Sequence, residues 1–260
     1  MEPEAVYENV LNEPMEETMP KQGAWRHDVK TLYHASTGIV RKPQWDYYPP
    51  NKPPILKGRK DFGLGFYICT EPEYPIYLYS AEDTVVLNKY ELNLITPKEL
   101  RVLRLYADTN WLLVIAAHRR NFSDFQAWHP VRDSIRCLIA SYDVLIGDIS
   151  NDRFFSAFER FLANRYTAEF TLRLAKRLSY PEQIVLKSDD AVRQLKFITH
   201  ESVNQEQVLS FRSRKMSDDT TVAAWVDEME RNAKADGSFY SGKKFDTIIG
   251  ELNRSGGFKL

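Results

Sequence analysis

A turn with two glycines, followed at once by an aromatic strand, is the feature that most restricts how this chain can fold. It lies in the stretch Asp61–Ile68, which reads DFGLGFYI, and an earlier segment, Leu32–Ser36, reads LYHAS. The pattern predicts two strands, one ending in a histidine and small residues, the other beginning at the glycines. A histidine and a tyrosine beside accessible backbone suit a flat heteroaromatic ligand.

The composition is that of a folded protein with a substantial core. The chain has 260 residues, of which 43% are hydrophobic and 13% aromatic, and its formal net charge is −1. Disordered and fibrous chains have other compositions. A protein whose main task is to grip nucleic-acid phosphates needs a marked positive excess, so that class is disfavoured.

The cysteines and the hydrophobic runs restrict the protein's setting. Cys69 and Cys137 are too few for a disulfide framework and lack zinc-site spacing, which favours a reduced, cytoplasmic environment. The remaining histidines have no partners at ligand spacing, so we expect no metal. No run is apolar and long enough to span a membrane, and the start of the chain does not resemble a secretion signal.

The pattern along the chain predicts a mixed α+β protein in three parts. Residues 1–25 read as an acidic flexible leader, 26–200 as the main domain, and 201–260 as a helical extension with a flexible, glycine-containing tail. Predicted strands are 31–35, 65–69, 84–94, 101–106, 143–147, 182–186 and 196–199. Predicted helices are 75–82, one starting at Asp108 or Thr109, one at Asn151 or Asp152, then 167–178, 188–195 and one including Val222–Met229.

Several segments together resemble a known family. They are Tyr33–Ser36, Asp61–Tyr67, the spaced residues of 143–152 (D-x-x-I-G-x-x-x-N-D) and Gln183–Ile184. In this order they resemble a family of bacterial proteins catalogued as an uncharacterised domain, DUF3990, within the ADP-ribosyltransferase superfamily. The resemblance covers roughly residues 30 to 200, and several motifs in order are more specific than any one alone. It implies split antiparallel sheets that flank an NAD cleft.

The resemblance also implies a role for individual residues. His34 would bind a ribose hydroxyl, and the backbone of Ala35, followed by Ser36, would bind the carboxamide of the nicotinamide. Tyr67 would stack on the nicotinamide ring, with Tyr77 or Tyr79 as a possible second face. The residues that would shape the turn admitting the ring are Gly63 and Gly65.

The third part of the family signature falls on two neighbouring residues. Glu182 stands at the position of the superfamily's strand glutamate, while the recurrent residue of the narrower family matches Gln183. Neighbours in a strand point to opposite faces, so only one can face the cleft, and we favour Gln183. A neutral amide there favours slow or altered turnover, since it cannot act as a carboxylate does.

Other polar residues have ordinary structural interpretations beside the functional ones. Arg119 and Arg120 end a helix, where cations suit the dipole, and Asp152 suits a helix start. The basic run Lys57, Arg59 and Lys60 fits either the NAD pyrophosphate or a solvated surface.

The resemblance implies that NAD is the substrate and that ADP-ribose is transferred to a protein or nucleic acid. It implies an intracellular toxin or effector, cytoplasmic in its own or a target cell, with a small antitoxin or immunity protein as partner. The leader or the Val222–Met229 stripe could serve that contact. The alternatives are an NAD glycohydrolase of the same fold and an inactive module that binds NAD or ADP-ribose.

Overall fold

The computed structural model describes residues 30–46, 60–77, 79–80, 83–93, 100–119, 125–150, 152–177 and 181–260. Its strands are β1 (Lys30–Ser36), β2 (Phe66–Cys69), β3 (Val85–Leu92), β4 (Val102–Leu105), β5 (Val144–Asp148), β6 (Glu182–Leu186) and β7 (Leu195–Val203). Its helices are α1 (Glu73–Ile76), α2 (Thr109–Arg119), α3 (Trp128–Ala140), α4 (Asp152–Leu162), α5 (Ala168–Arg177), α6 (Asp189–Arg193), α7 (Gln205–Ala235) and α8 (Phe245–Arg254).

The strands form one open sheet in the order β4-β5-β6-β2-β1-β3-β7. Only the β4–β5 pair is parallel among these neighbours, and the others are antiparallel. The α+β class is therefore confirmed, and the open, mostly antiparallel sheet is compatible with the ADP-ribosyltransferase-like fold.

The sheet consists of two well-paired halves that meet at a weak seam between β1 and β2. β1 pairs with β3 along its whole length, and β2 pairs with β6 at all four of its residues. Between β1 and β2, by contrast, Tyr33 with Cys69 is the paired position within the described residues. Backbone groups beyond that pair are thus left for side chains or a ligand. The carbonyl of Ala35, for example, accepts a hydrogen bond from the Tyr79 hydroxyl at 3.0 Å.

The two faces of the sheet bury different cores. On one face, the side chains of Leu32, Phe66, Ile68 and Tyr90 form a compact cluster with those of neighbouring strands. On the other face lies the main core, where Leu145 and Val185 meet the helices. In β6, strand alternation sends successive residues to these two cores in turn, Ile184 and Leu186 to the smaller cluster and Val185 to the main core.

Helix α2 is the centre of the main core. Its residues from Trp111 to Ala117 are all at most 1% exposed, as expected for a helix that is apolar on every side. The helix begins where the Asp108 carboxylate accepts a hydrogen bond from the Trp111 backbone N–H at 2.9 Å, which supplies a partner for one of the free N–H groups of the first turn.

After residue 200 the chain is largely helical, and the glycine-containing part that was expected to be a flexible tail includes α8 (Phe245–Arg254). β7 continues to Val203, α7 then begins with a capping box at Asn204, and α8 buries Phe245 and Ile249 in the main core. The predicted leader, residues 1–25, lies outside the described residues. Within the described part of the chain, no helix is both long and apolar enough to cross a membrane.

Candidate functional site

The glycine turn before β2 is held from several sides. The Tyr67 hydroxyl donates to the Gly63 carbonyl at 2.7 Å and accepts from the Phe62 N–H at 3.1 Å. The Lys187 ammonium donates to the carbonyls of Phe62 at 2.9 Å and Leu64 at 2.8 Å, and burial lowers its pKa to about 8. The turn is thus fixed by side chains from β2 and from the end of β6.

At both glycines of the turn, neighbouring atoms lie too close to leave room for a side chain. Gly63 has a φ of +77°, and a Cβ there would lie 2.6 Å from the His118 ring. A Cβ on Gly65 would lie 2.4 Å from Cγ1 of Val185. These distances are too short for any larger residue without movement of β6 or α2.

His34 is held as a neutral imidazole with a defined tautomer. Its Nδ1 lies 2.8 Å from the carbonyl oxygen of Tyr67, and a carbonyl only accepts, so Nδ1 carries the hydrogen. Burial lowers the pKa of His34 to about 4, so the ring is neutral at pH 7. Its Nε2 is therefore an acceptor, as the binding of a ribose hydroxyl requires.

The rings of His34 and Tyr67 do not face each other. The His34 ring packs on Phe66, with centroids 4.4 Å apart, on the sheet face of the smaller cluster. Tyr67 packs against the main core on the opposite face. The register of β1 and β2 places the two side chains on opposite faces of the sheet, so one flat ring cannot lie between them. The two residues meet through the Tyr67 backbone instead.

The face of the Tyr67 ring carries a cation. The Lys60 ammonium lies 4.4 Å from the ring centroid, a distance typical of a cation–π contact. Burial is the main cause that raises the pKa of Tyr67 well above its usual value, so the phenol stays protonated. A flat cationic ring could occupy this face of Tyr67 only if Lys60 moved aside.

The structure separates Glu182 from Gln183 as alternation requires. Gln183 is 6% exposed and lies in register with Cys69 and Gly147, on the same face as Tyr67. Glu182 points to the other face, where it forms an ion pair with Arg104. Gln183 is thus the residue of this pair that shares a face with Tyr67, whereas Glu182 shares a face with His34.

A buried polar network surrounds Gln183, and its centre is Asp61. The Asp61 carboxylate is 3% exposed and accepts from the Ser150 N–H at 2.9 Å, the Ser150 hydroxyl at 2.8 Å and the Gln183 amide at 2.9 Å. It also forms an ion pair with Arg119, which donates to the Ser150 carbonyl at 2.9 Å. This centre was not predicted from the sequence, in which Arg119 fits a helix-end cation, although Asp61 opens the glycine stretch of the motif.

The remaining predicted residues lie at different distances from the seam. Ser36 donates to the Gly38 carbonyl at 2.5 Å and accepts from the buried Asn88 amide at 2.9 Å, which orders the chain after β1. Tyr79 reaches the seam through the Ala35 carbonyl. Tyr77 packs instead near Tyr74 and Phe211, with centroids 5.6 and 6.5 Å away, so it is not placed as a second face against Tyr67.

Some predicted residues lie outside the described parts of the chain. These are Lys57, Arg59, Arg120 and, for its side chain, Asp152. Among the described residues, no group of three or more histidine, cysteine, aspartate or glutamate side chains is placed to hold a metal ion.

Comparison with known proteins shows the family of the chain but does not show its activity. No curated protein matches it. A chain of the crystal structure of the M. tuberculosis MbcT-MbcA toxin-antitoxin complex is similar, with a TM-score of 0.35 and 9% sequence identity over 72% of this chain and 91% of that chain. A likeness this low carries no argument about function. The model of the family DUF3990, described as a protein of unknown function, matches residues 30–197, and the chain therefore belongs to that family.

Proposed function

We propose that this protein cleaves the bond between nicotinamide and ribose in NAD and transfers the ADP-ribose to a protein or nucleic acid. The observation that carries the proposal is the seam between β1 and β2. There, the Nε2 acceptor of His34 lies on one face of the sheet, and the fixed glycine turn and the buried amide of Gln183 lie on the other. Both faces meet at backbone that is paired at one described β1–β2 position, Tyr33 with Cys69.

The groups at the seam match the polar parts of the substrate. Nε2 of His34 would accept from a ribose hydroxyl, and the Ala35 backbone would bind the carboxamide. The Ala35 carbonyl already accepts from Tyr79, but a carbonyl oxygen has two lone pairs and can accept a second hydrogen bond. Stacking on Tyr67 would displace Lys60 from the ring face, which places that ammonium near the substrate's negative phosphates.

The proposed reaction breaks one bond at the ribose C1′ and forms another. The bond from the ribose C1′ to the nicotinamide nitrogen breaks, and nicotinamide leaves with the bonding electrons as a neutral molecule. The oxocarbenium-like ribose is then attacked at C1′ by a nucleophile of the acceptor, which loses its proton. A fixed amide oxygen at Gln183 would stabilise the positive charge through its dipole. Glu182 is not placed to do so from the Tyr67 face.

One observation favours a second candidate, an NAD-binding module with little or no turnover. The residue that shares a face with Tyr67 is the amide Gln183 and not a carboxylate. An amide cannot act as a general base for the acceptor. The acceptor in an active enzyme must therefore bring a nucleophile that needs no base from this position, or pass its proton to water.

We further propose that the protein acts as an intracellular toxin or effector that a small antitoxin or immunity protein restrains. The Val222–Met229 stripe is not available as that contact, because Trp225, Val226 and Met229 pack against the protein's own main core. A partner that blocks NAD would cover the seam, so its binding should protect His34 and the glycine turn.

The experiment is incubation with NAD labelled on the adenylate part, with and without cell lysate, while free nicotinamide is measured. Wild-type protein is expected to release nicotinamide and to label a macromolecule, and His34→Ala and Gln183→Ala are expected to lose both. Glu182→Ala, on the face opposite Gln183, is the matched neighbour and should keep most activity, because the Glu182 carboxylate is paired with Arg104. Thr171→Val is the control for general loss of a buried polar group, since the Thr171 hydroxyl donates to the Thr167 carbonyl just before α5, away from the seam.

The outcomes separate the candidates. Nicotinamide release without macromolecular labelling would indicate a glycohydrolase, and NAD binding without release would indicate a binding module. Absence of both binding and release from folded wild-type protein would contradict the proposal.

A further inference from the structure

The amide of Gln183 has a fixed orientation that only its partners explain. Its Nε2 donates to Oδ2 of Asp61 at 2.9 Å and to the carbonyl oxygen of Asp148 at 3.4 Å. Both partners are acceptors, so the NH2 group and not the oxygen must face them. Both amide hydrogens are thereby used.

The amide oxygen is left without a described partner. No hydrogen bond to Oε1 of Gln183 is formed by the described residues, although the residue is only 6% exposed. Oε1 is not among the buried side-chain atoms of the described residues that lack a partner, so this oxygen is reached by solvent, and a donor from outside the protein can bind it.

The Asp61 carboxylate cannot rotate away from Gln183 without breaking its other contacts. Its two oxygens also receive the Ser150 N–H and hydroxyl, and Arg119 is its ion-pair partner. A carboxylate held by donors from α2 and from the end of β5 offers Gln183 only an acceptor. The side chain of Asp61 therefore decides which end of the Gln183 amide points away from the network.

We propose that Asp61 is a positioning residue that forces the Gln183 amide to present its oxygen, as an acceptor for a ligand hydroxyl or a developing positive charge, on the Tyr67 face. The ligand part of this statement rests on the proposed function, in which that ligand is the ribose of NAD. Asp61 itself does not touch the substrate.

The test exchanges the carboxylate and the amide between positions 61 and 183, first one at a time and then together. In Asp61→Asn, the remaining oxygen must still accept from the Ser150 hydroxyl and from Arg119, which both lie at Oδ1, so the NH2 group takes the place of Oδ2. There it loses the Ser150 N–H and donates to Gln183, and the Gln183 amide flips its NH2 outward. In Gln183→Glu, two carboxylates meet. In the double variant, the asparagine amide at position 61 donates to the carboxylate at position 183. That carboxylate again presents an oxygen outward, and the net charge of the network is unchanged.

Each single variant is expected to lower the rate of NAD consumption by at least about tenfold, as misplaced catalytic groups do. The double variant is expected to recover most of the loss, to within about threefold of wild type, whereas a purely structural role for Asp61 predicts that the two losses multiply. Thermal unfolding of each variant, with Thr171→Val for comparison, separates unfolding from mispositioning. A double variant no better than the worse single variant would overturn the proposal.

A second readout does not depend on turnover. The side-chain amide signals of Gln183 can be identified in ¹⁵N NMR spectra by their loss in Gln183→Met. In wild-type protein, both amide hydrogens are expected to exchange slowly with water, and rapid exchange of both would refute the positioning role. If wild-type protein neither binds nor consumes NAD while this protection is observed, the proposed function fails and the positioning role stands.

Discussion

At the scale of single residues, the site depends on which face of the sheet each side chain occupies. Sequence motifs located His34, Tyr67 and the pair Glu182 and Gln183, but not their faces. The register supplied that information, and it separated His34 from Tyr67 while it grouped Gln183 with Tyr67. Asp61 was beyond sequence reasoning because its partners Ser150 and Gln183 are 89 and 122 residues away along the chain.

Because two buried histidines are neutral, we predict that folding stability decreases at acidic pH. Burial lowers the pKa of His34 and of His118 to about 4, against 6.5 in an unfolded chain. As the pH falls from 6.5 to 4, the unfolded chain takes up these protons and the folded protein does not, so folding stability decreases in that window. The loss over this window is about 3 kcal/mol for each histidine.

Urea unfolding at pH 7 and pH 4.5 measures this effect. In His118→Gln, which cannot titrate, the decrease between the two pH values is expected to be smaller by about 2 kcal/mol than in wild-type protein. An unchanged decrease would show that the imidazole is charged in the folded state.

At the scale of elements, the strands were the most predictable part of the fold. Six of the predicted strands match the structure to within two residues at each end, and the last, 196–199, was too short because β7 runs from Leu195 to Val203. Helices with a side-chain cap were also recognisable. Ser188, for instance, accepts from the Ala191 N–H at 3.2 Å where α6 begins. The predicted helix 75–82 was shifted, since α1 ends at Ile76.

Helices without a cap signal were the ones that sequence reasoning missed. Neither Ala127, before α3, nor Lys244, before α8, makes a side-chain cap hydrogen bond. The glycines around α8 also favoured a loop in the sequence interpretation. Both helices exist because they bury aromatic residues in the main core, a tertiary cause that local patterns do not contain.

The close packing of the glycine turn predicts that a side chain at Gly63 destabilises the fold. Gly63→Ala is expected to lower the free energy of unfolding by about 2 to 3 kcal/mol, because it combines a positive φ with a clash against His118. Gly38→Ala is the matched control, since a Cβ there meets nothing within 4 Å. Chemical denaturation of both variants checks this, and equal stability of the two would contradict the close approach.

At the scale of the whole molecule, the C-terminal helices belong to the same core as the sheet. The Phe245 ring lies 5.2 Å from that of Trp128 and 5.5 Å from that of Phe161. The family match ends at residue 197, before these helices begin. We therefore predict that a chain ending near residue 200 does not fold stably, because α2, α3 and α4 would expose aromatic surface.

A single substitution tests the same point in the full chain. Phe245→Ala is expected to lower the free energy of unfolding by about 3 to 5 kcal/mol, as for other buried phenylalanines. Tyr240→Ala, at a residue that is 71% exposed, should have an effect below about 1 kcal/mol. Thermal or urea unfolding distinguishes them, and a small effect at Phe245 would mean that α8 is dispensable.

The central claim is that the seam between β1 and β2 is an NAD site with His34 and Gln183 in it. The most direct measurement is nicotinamide release from NAD by wild-type protein, His34→Ala, Gln183→Ala and Glu182→Ala, each shown to be folded. The account predicts release by wild type and Glu182→Ala and its loss in the other two. Equal release by all four proteins, or loss only in Glu182→Ala, would contradict it.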